Sequence, residues 1–388
     1  MPMGGKDSDQ DILSINRPIR IQGFDLARAI ALMAMVVVNY TSLMQIGAFS
    51  PLWIDRAVDF IFGRAAAVFV ILSGISIALM FERSSVDEPS IGVRRYLMVR
   101  SLLMLIAGVV LWNWWAADIL HFYAAYIILG MAVATKSTRS LRQLLMIVAL
   151  VSMPVCAVLT ITYDLVDQSE LLVRQPFVLR LMADYLMSSY YPLLPWFGYF
   201  LVGMLLGRQE KAHRISYGRL LLVSLFVCLA VEYFSNTMLA LAEENNMEIQ
   251  GDWKLAFLRS EAFPVTPLFV LSSAASGLAL ISICRLVADM VAHSSIINAV
   301  CCFGKLSLTI YIGHLLWGFG VVAWIEGLGG KLGQSEMVIS AGIFCMVGIL
   351  FSVLWCCYFK RGPLESLFYR LSCLKWGKPS KMSALPNA

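Results

Sequence analysis

Charge and histidine are scarce in this sequence. Of its 388 residues, 14% are charged and four are histidine, whereas 59% are hydrophobic, and the mean hydropathy is +0.76. Soluble domains carry about 25% charged residues, so this composition excludes a soluble globular protein. The net charge of +5 is concentrated in connections between apolar runs and gives no reason to expect a nucleic-acid partner.

Patterns for metal or nucleotide binding are absent as well. The nine cysteines lack the spacing typical of metal sites, so we expect no bound metal. Adjacent pairs such as Cys301 and Cys302 are poor disulfide candidates. We therefore interpret the cysteines as apolar packing residues. The chain has no phosphate-binding loop, low-complexity tract or obvious repeat. Because its first 20 residues are polar and its first apolar run is long enough to span a membrane, no cleavable signal peptide is expected.

Long apolar runs dominate the chain. A window of about 20 residues predicts ten membrane spans, near residues 26–45, 57–80, 95–112, 118–134, 141–163, 190–207, 218–238, 263–287, 303–325 and 336–358. The predicted fold is therefore all-α, a polytopic membrane bundle of about ten transmembrane helices. We expect one integral membrane domain over residues 1–388, with cytoplasmic tails at 1–23 and 362–388.

Lysine and arginine fall on alternate connections. They are frequent at both termini and in every second connection, whereas the intervening connections hold most of the acidic loop residues. By the positive-inside rule, the Lys/Arg-rich connections and both termini are cytoplasmic. The sequence thus predicts an integral protein of the cytoplasmic membrane, which in a bacterium is the inner membrane.

The first predicted span carries a polar stripe. Asp25 and Arg28 open it, and Asn39 follows after ten residues without charge. On a helix Arg28 lies about 20° and Asp25 about 40° from Asn39 around the axis, so the three share one stripe, and Asn39 lies roughly 16 Å above Arg28. Polar groups at that depth face protein or a water-filled cavity. Alternatively, the charged pair caps the helix and Asn39 only joins two helices by a hydrogen bond.

A second candidate site lies at the start of the fourth predicted span. Asp118 and His121 are three residues apart and so share a helix face. A carboxylate beside an imidazole is the arrangement that a general base requires. Alternatively, His121 is an interfacial histidine and Asp118 caps its helix.

Two further groups of polar residues lie in the predicted spans. Ser307, Tyr311 and His314 in the ninth span form one helix face that reaches the membrane centre. A histidine at that depth needs a hydrogen-bond partner, either a ligand or a neighbouring hydroxyl. Asp59 and Arg64 enter the second span near its outer boundary, where snorkelling to the interface is the alternative to a binding role.

A series of motifs resembles a known family. They are residues 20–28 (RIQGFDLAR) with 38–40 (VNY), 192–198 (PLLPWFG), 304–311 (GKLSLTIY) and 362–365 (GPLE). In this order they resemble motifs of the heparan-alpha-glucosaminide N-acetyltransferase-like proteins, within the transmembrane acyltransferase superfamily, and of related bacterial membrane families. The resemblance covers residues 20–365, nearly the whole chain.

The resemblance implies a membrane enzyme that transfers an acyl group, often acetyl, from cytoplasmic acyl-CoA to an amine or hydroxyl, often of a sugar. The expected partners are acyl-CoA, the lipid bilayer and an acceptor that is a glycan, a lipid-linked sugar or a secreted small molecule; a homo-oligomer is one option. Heparan-type enzymes place a catalytic histidine in the loop after the Asn that Asn39 matches. Residues 41–51 (TSLMQIGAFSP) contain none, so either another histidine serves or the acyl chemistry is lost.

Within this resemblance, each candidate residue receives a role. Donor binding is expected from the cations and the acidic residue at the cytoplasmic end, namely Arg28, Arg94, Arg95, Lys305 and Asp25, because Arg and Lys bind phosphates by charge-assisted hydrogen bonds. Asn39 would donate a hydrogen bond to the developing oxyanion. Acceptor contacts are expected from Arg64, Asp59 and Trp196.

The choice of the base is open among the histidines. His121 is the preferred candidate because Asp118 stands one turn away, and His314 is the other histidine in a predicted span. His213 and His293 lie in predicted cytoplasmic loops and are weaker choices.

Two other classes of function remain. A secondary transporter could use the polar stripe as a substrate path, although the sequence has no inverted repeat and no paired helices broken by Gly or Pro. A catalytically silent relative that acts as an interaction partner is compatible with the missing loop histidine.

Overall fold

The computed structural model describes residues 21–42, 51–83, 89–166, 176–187, 190–245, 257–291, 294–327 and 333–373. These residues contain fourteen helices and no β-strand. In chain order the helices are α1 Gln22–Thr41, α2 Leu52–Ile61, α3 Arg64–Arg83, α4 Pro89–Trp112, α5 Leu120–Val133, α6 Thr138–Val166, α7 Phe177–Met187, α8 Leu193–Lys211, α9 Tyr217–Glu244, α10 Pro267–Met290, α11 Ser295–Lys305, α12 Ser307–Gly327, α13 Gln334–Tyr358 and α14 Pro363–Cys373.

The predicted all-α polytopic bundle is confirmed. Eight described stretches are long and apolar enough to cross a membrane by length and composition. Each of the ten predicted spans overlaps one or two helices, and the two spans outside these eight stretches correspond to α5 and α8. With 14 residues, α5 extends only about 21 Å, and the last turn of α8 is charged.

Helix α1 lies at the centre of the bundle. Fourteen of its 20 residues are buried, and it packs against α3, α10, α11, α12 and α13. Its alanines Ala27, Ala29 and Ala31 are no more than 1% exposed. Small side chains let neighbouring helices approach closely in a membrane protein, so the helix that carries the predicted polar stripe is enclosed by protein.

Helices α3 and α8 are in close contact. A β-carbon at Gly203 of α8 would overlap the carbonyl oxygen of Ile71 on α3. Gly203 therefore allows the two helix backbones to approach closely.

A buried ion pair joins three helices. Arg64, at the start of α3 and 7% exposed, donates from Nη2 to Glu232 on α9 at 2.5 Å and to Ser272 on α10 at 3.1 Å. A charge in apolar surroundings is costly unless it is paired. Arg64 thus points into the bundle and holds α3, α9 and α10 together, and it does not snorkel to the interface.

Two predicted spans are interrupted. The span at 57–80 breaks at Gly63, whose φ of 71° favours glycine, so Asp59 lies on α2 and Arg64 on α3. The span at 303–325 breaks at Leu306, between α11 and α12. The prediction of continuous helices was wrong at these two points because single turns are not visible in the apolar pattern.

Glu365 stabilises the start of α12 from another helix. Its carboxylate accepts from the backbone N–H of Leu308 at 2.8 Å and of Thr309 at 3.0 Å, and from the Thr309 hydroxyl at 2.5 Å. These N–H groups have no partner within their own helix. Since Glu365 belongs to α14, the segment predicted as a tail at 362–388 begins with a helix that packs on α4 and α12.

We predict that Glu365→Ala lowers the free energy of unfolding by about 1–2 kcal/mol, the usual cost of losing an N-terminal helix cap. Thermal unfolding of the purified protein in detergent measures the loss. The control is Glu336→Ala, which removes an exposed carboxylate from the first turn of α13 and should cost no more than about 0.5 kcal/mol. Equal stabilities of the two variants would contradict the capping role of Glu365.

Candidate functional site

Asn39 and His314 meet inside the bundle. Asn39 Nδ2 on α1 lies 2.9 Å from His314 Nε2 on α12, and the neighbouring Tyr40 hydroxyl donates to the His314 carbonyl oxygen at 2.9 Å. Because an amide N–H donates, Nε2 accepts and the ring proton is on Nδ1. His314 is fully buried, so the predicted need of this histidine for a partner is met by Asn39.

Tyr311 and Asp118 extend this contact. Tyr311 lies one turn before His314 on α12, with the two rings 5.0 Å apart, and its hydroxyl donates to Asp118 Oδ1 at 2.9 Å. Asp118 Oδ2 also accepts from the Leu120 N–H at 2.9 Å and lies 3.3 Å from His121 Nδ1. Three predicted constellations therefore form one buried group, which we call the polar layer: Asn39, His314, Tyr311, Asp118 and His121.

A cavity of about 200 Å³ lies on one side of the polar layer. Many cationic side chains line it, so we call it the basic cavity; they are Arg28, Arg100, Lys305, Lys360 and Arg361. The guanidinium of Arg28 is held at 2.7 Å by both Asp25 and Ser76. The lining carboxylate, Glu365, is engaged with α12, which leaves an excess of positive charge.

A second cavity of about 210 Å³ lies at the opposite end of α1. Its wall includes Asn39 and four aromatic residues, Phe62, Trp115, Tyr190 and Tyr191, and we call it the aromatic cavity. None of the described residues that line it is charged. Met35, one turn before Asn39 of the polar layer, lines both cavities and so belongs to the wall between them.

The cations predicted from the sequence divide into two groups. Arg28 and Lys305 line the basic cavity. Arg94 and Arg95 do not, since Arg94 lies over the Phe81 ring at 5.6 Å and Arg95 is exposed. The lining cations that sequence reasoning missed are Arg100, Lys360 and Arg361; Lys360 and Arg361 stand directly after the last span, which was the available signal.

The residues predicted to contact the acceptor do not line either cavity. Arg64 is paired with Glu232, and Asp59 is exposed on α2. Trp196 is fully buried and packs edge-on against Tyr191, 4.8 Å between ring centroids. Its effect on the aromatic cavity is therefore indirect.

His121 is not among the residues that line either cavity. It is fully buried, its backbone packs against Gly108, where a β-carbon would overlap its nitrogen, and its carbonyl accepts from the Tyr185 hydroxyl at 2.8 Å. Of the weaker candidates, His213 is exposed in the turn after α8 and His293 lies outside the described residues. His314 contacts Asn39, which lines the aromatic cavity.

The part of the chain that the structure describes holds no group of three or more His, Cys, Asp or Glu side chains placed to bind a metal ion. The loop at residues 43–50, in which the family histidine would lie, is outside that part.

Comparison with known families gives two matches. The model described as heparan-alpha-glucosaminide N-acetyltransferase, catalytic, matches residues 20–224, and one described as a protein of unknown function (DUF418) matches residues 205–375. No curated protein matches the chain. The first match covers more than half of the 388 residues and includes Arg28 and Asn39. The resemblance seen in the motifs is thereby confirmed, and the chain belongs to the heparan-alpha-glucosaminide N-acetyltransferase catalytic family.

Proposed function

We propose that this protein is a membrane acyltransferase that moves an acyl group, acetyl in the first instance, from acyl-CoA to a hydroxyl or amine on the other side of the membrane. The observation that carries the proposal is the pair of cavities at opposite ends of α1, one basic and one aromatic, which share Met35 beside the polar layer. A donor and an acceptor bound in the two cavities would meet at this wall.

Acyl-CoA suits the basic cavity. The phosphates of CoA are strong acceptors for the Arg and Lys donors there. Arg28 is already oriented by Asp25 and Ser76, so little side-chain entropy is lost when it binds a phosphate. The cavity wall also includes apolar side chains such as Phe69 and Ile127, which fit the pantetheine arm and the acyl group.

His314 is the base in this proposal. The acceptor group replaces the Asn39 amide at Nε2, which takes its proton as the acceptor oxygen or nitrogen bonds to the thioester carbonyl carbon. The C–S bond then breaks, and the CoA thiolate receives the proton from His314. Asn39 lines the aromatic cavity and lies beside His314, so we assign it to orienting the acceptor once that group has taken its place at Nε2.

The acceptor binds in the aromatic cavity. Aromatic side chains with polar tips, such as Trp115, Tyr190 and Tyr191, present both an apolar face and hydrogen-bonding groups, which suits a sugar ring or a similar small molecule. The acceptor classes that fit are a glycan, a lipid-linked sugar or a secreted metabolite.

The orientation in the membrane follows from the positive-inside rule. The basic cavity lies at the end of the bundle with the Lys/Arg-rich connections, where cytoplasmic acyl-CoA is available. We therefore place both termini in the cytoplasm and the protein, as one integral domain, in the cytoplasmic membrane.

Arg28→Ala is predicted to weaken binding of acetyl-CoA by about 10-fold to 150-fold, because it removes a charge-assisted phosphate contact of about 1.5–3 kcal/mol. Isothermal titration of the detergent-purified protein measures the affinity. Arg95→Ala is the matched control, since it removes the same charge outside the cavity. Equal affinities of the two variants would contradict the role of Arg28 in phosphate binding. If the wild-type protein has no affinity for acetyl-CoA, a transporter or a catalytically silent relative is favoured instead.

His314→Ala is predicted to slow the release of CoA from acetyl-CoA by about 10²–10⁴-fold, the usual effect of losing a general base, while acetyl-CoA binding stays within a few-fold. The assay follows CoA by chromatography in native membranes, which contain the natural acceptor. His121→Ala is the comparison, with size-exclusion profiles as the check on folding for both. Normal turnover without His314, together with lost turnover in folded His121→Ala, would place the base at the Asp118–His121 pair.

A further inference from the structure

One hydroxyl in the basic cavity has no hydrogen-bond partner. Tyr123 on α5 lines this cavity and is 8% exposed, and its hydroxyl makes no hydrogen bond with any residue that the structure describes. Buried hydroxyls nearly always have a partner, since leaving one without costs stability. A donor left without a partner in a cavity wall indicates a ligand that accepts from it.

Three other polar side chains of this wall, Tyr311, Ser76 and Arg28, are already engaged. The Tyr311 hydroxyl donates to Asp118, the Ser76 hydroxyl donates to the Leu72 carbonyl oxygen, and Arg28 is held by Asp25 and Ser76. Tyr123 therefore differs from these neighbours because its hydroxyl is a hydrogen-bond donor without an acceptor among the described residues.

Tyr123 lies at the deep end of the basic cavity. It is ten residues, or about 15 Å, along α5 from the helix end at Val133, whereas Lys305 and Lys360 lie at or just after helix ends. Ile119 and Leu120, four and three residues before Tyr123, line the same cavity and directly follow Asp118 of the polar layer. Tyr123 thus lies at the end of the basic cavity that adjoins the polar layer.

We infer that the Tyr123 hydroxyl donates a hydrogen bond to the carbonyl oxygen of the donor thioester. This inference rests on the proposed function, because it requires acyl-CoA in the basic cavity with its phosphates at the cationic end. As the acceptor bonds to the carbonyl carbon, that oxygen gains negative charge and the hydrogen bond strengthens. When the C–S bond breaks, the charge returns to the carbonyl and the electron pair leaves with the CoA sulfur, so Tyr123 keeps its proton throughout.

This assignment changes the role expected for Asn39. The sequence suggests Asn39 as the oxyanion donor, but its amide faces His314 and the aromatic cavity. Tyr123 approaches from the donor side, which is where the thioester oxygen would lie. The geometry points to Tyr123 as a catalytic residue and to Asn39 as a residue of the acceptor side.

Tyr126 provides a matched control. It stands three residues after Tyr123 on the same helix, with the two rings 6.0 Å apart, and its hydroxyl is also buried without a partner among the described residues. It does not line the basic cavity. Tyr123→Phe and Tyr126→Phe therefore remove the same atom from similar surroundings, and only the first removes it from the cavity.

The experiment compares both variants with the wild type. Neither should lower the melting temperature of the ligand-free protein, because each loses a hydroxyl without a partner. Tyr123→Phe should lower kcat for CoA release by about 10²-fold, as loss of an oxyanion donor does, and weaken acetyl-CoA binding by about 2-fold to 10-fold. Its affinity for free CoA, which lacks the carbonyl, should not change, and Tyr126→Phe should match the wild type in all three measurements.

Several results would overturn the inference. An unchanged kcat in Tyr123→Phe would overturn it. Equal losses of affinity for acetyl-CoA and for CoA would also overturn it, because they would place the Tyr123 contact on the pantetheine arm. A lower melting temperature with loss of activity in both variants would indicate a structural role. If the wild type neither binds nor cleaves acetyl-CoA, the proposed function fails as well; if it does both and Tyr123→Phe equals it, only this inference fails.

Discussion

The hydrogen bond between Asn39 and His314 determines how α1 and α12 meet in the apolar interior of the bundle. A polar side chain at that depth must find its partner within the protein, since lipid offers none. The contact, with the bond from Tyr40 to the His314 carbonyl, sets the register of α12. In that register Tyr311 reaches Asp118, and the polar layer between the two cavities is complete.

Charge is distributed unequally about this layer. On the side of the aromatic cavity, the buried Arg64 is neutralised by Glu232. Five cations line the basic cavity; Arg28 is paired with Asp25, and the one carboxylate in the lining, Glu365, is engaged with α12. The two cavities therefore favour different ligands, an anionic one and a neutral one. An acyltransferase that works across a membrane needs this asymmetry, because its donor is an anion and its acceptor must reach the same carbonyl carbon from the other side.

Much of this arrangement could be predicted from the sequence, and the rest depends on tertiary contacts. Helical periodicity alone places Asp25, Arg28 and Asn39 on one stripe, and the structure has Arg28 in one cavity and Asn39 in the other. The partner of Asn39 is 275 residues away, a distance at which no periodicity applies. Candidate bases could be named, but their exposure to a cavity depends on how α5 and α12 pack.

The cations illustrate the same point within one helix. Arg94 and Arg95 were expected at the donor because they lie near the predicted cytoplasmic loop, yet Arg100 of the same helix lines the cavity. Arg100 shares its helix face with Leu97 and Met104, three residues before it and four after it, and both line the cavity. Which face of α4 turns inward is decided by its neighbours α5 and α14, and the weak amphipathicity of a membrane helix does not reveal it.

The central claim is that donor and acceptor meet at the wall between the two cavities. The most direct measurement is a cryo-EM structure of the protein with an acetyl-CoA analogue in which a methylene group replaces the thioester sulfur. The account predicts phosphate density against Arg28, Lys305 and Arg361, and the ketone oxygen at the wall that Met35 and Tyr311 line. Density for the analogue in the aromatic cavity, or at the exposed Arg95, would contradict it.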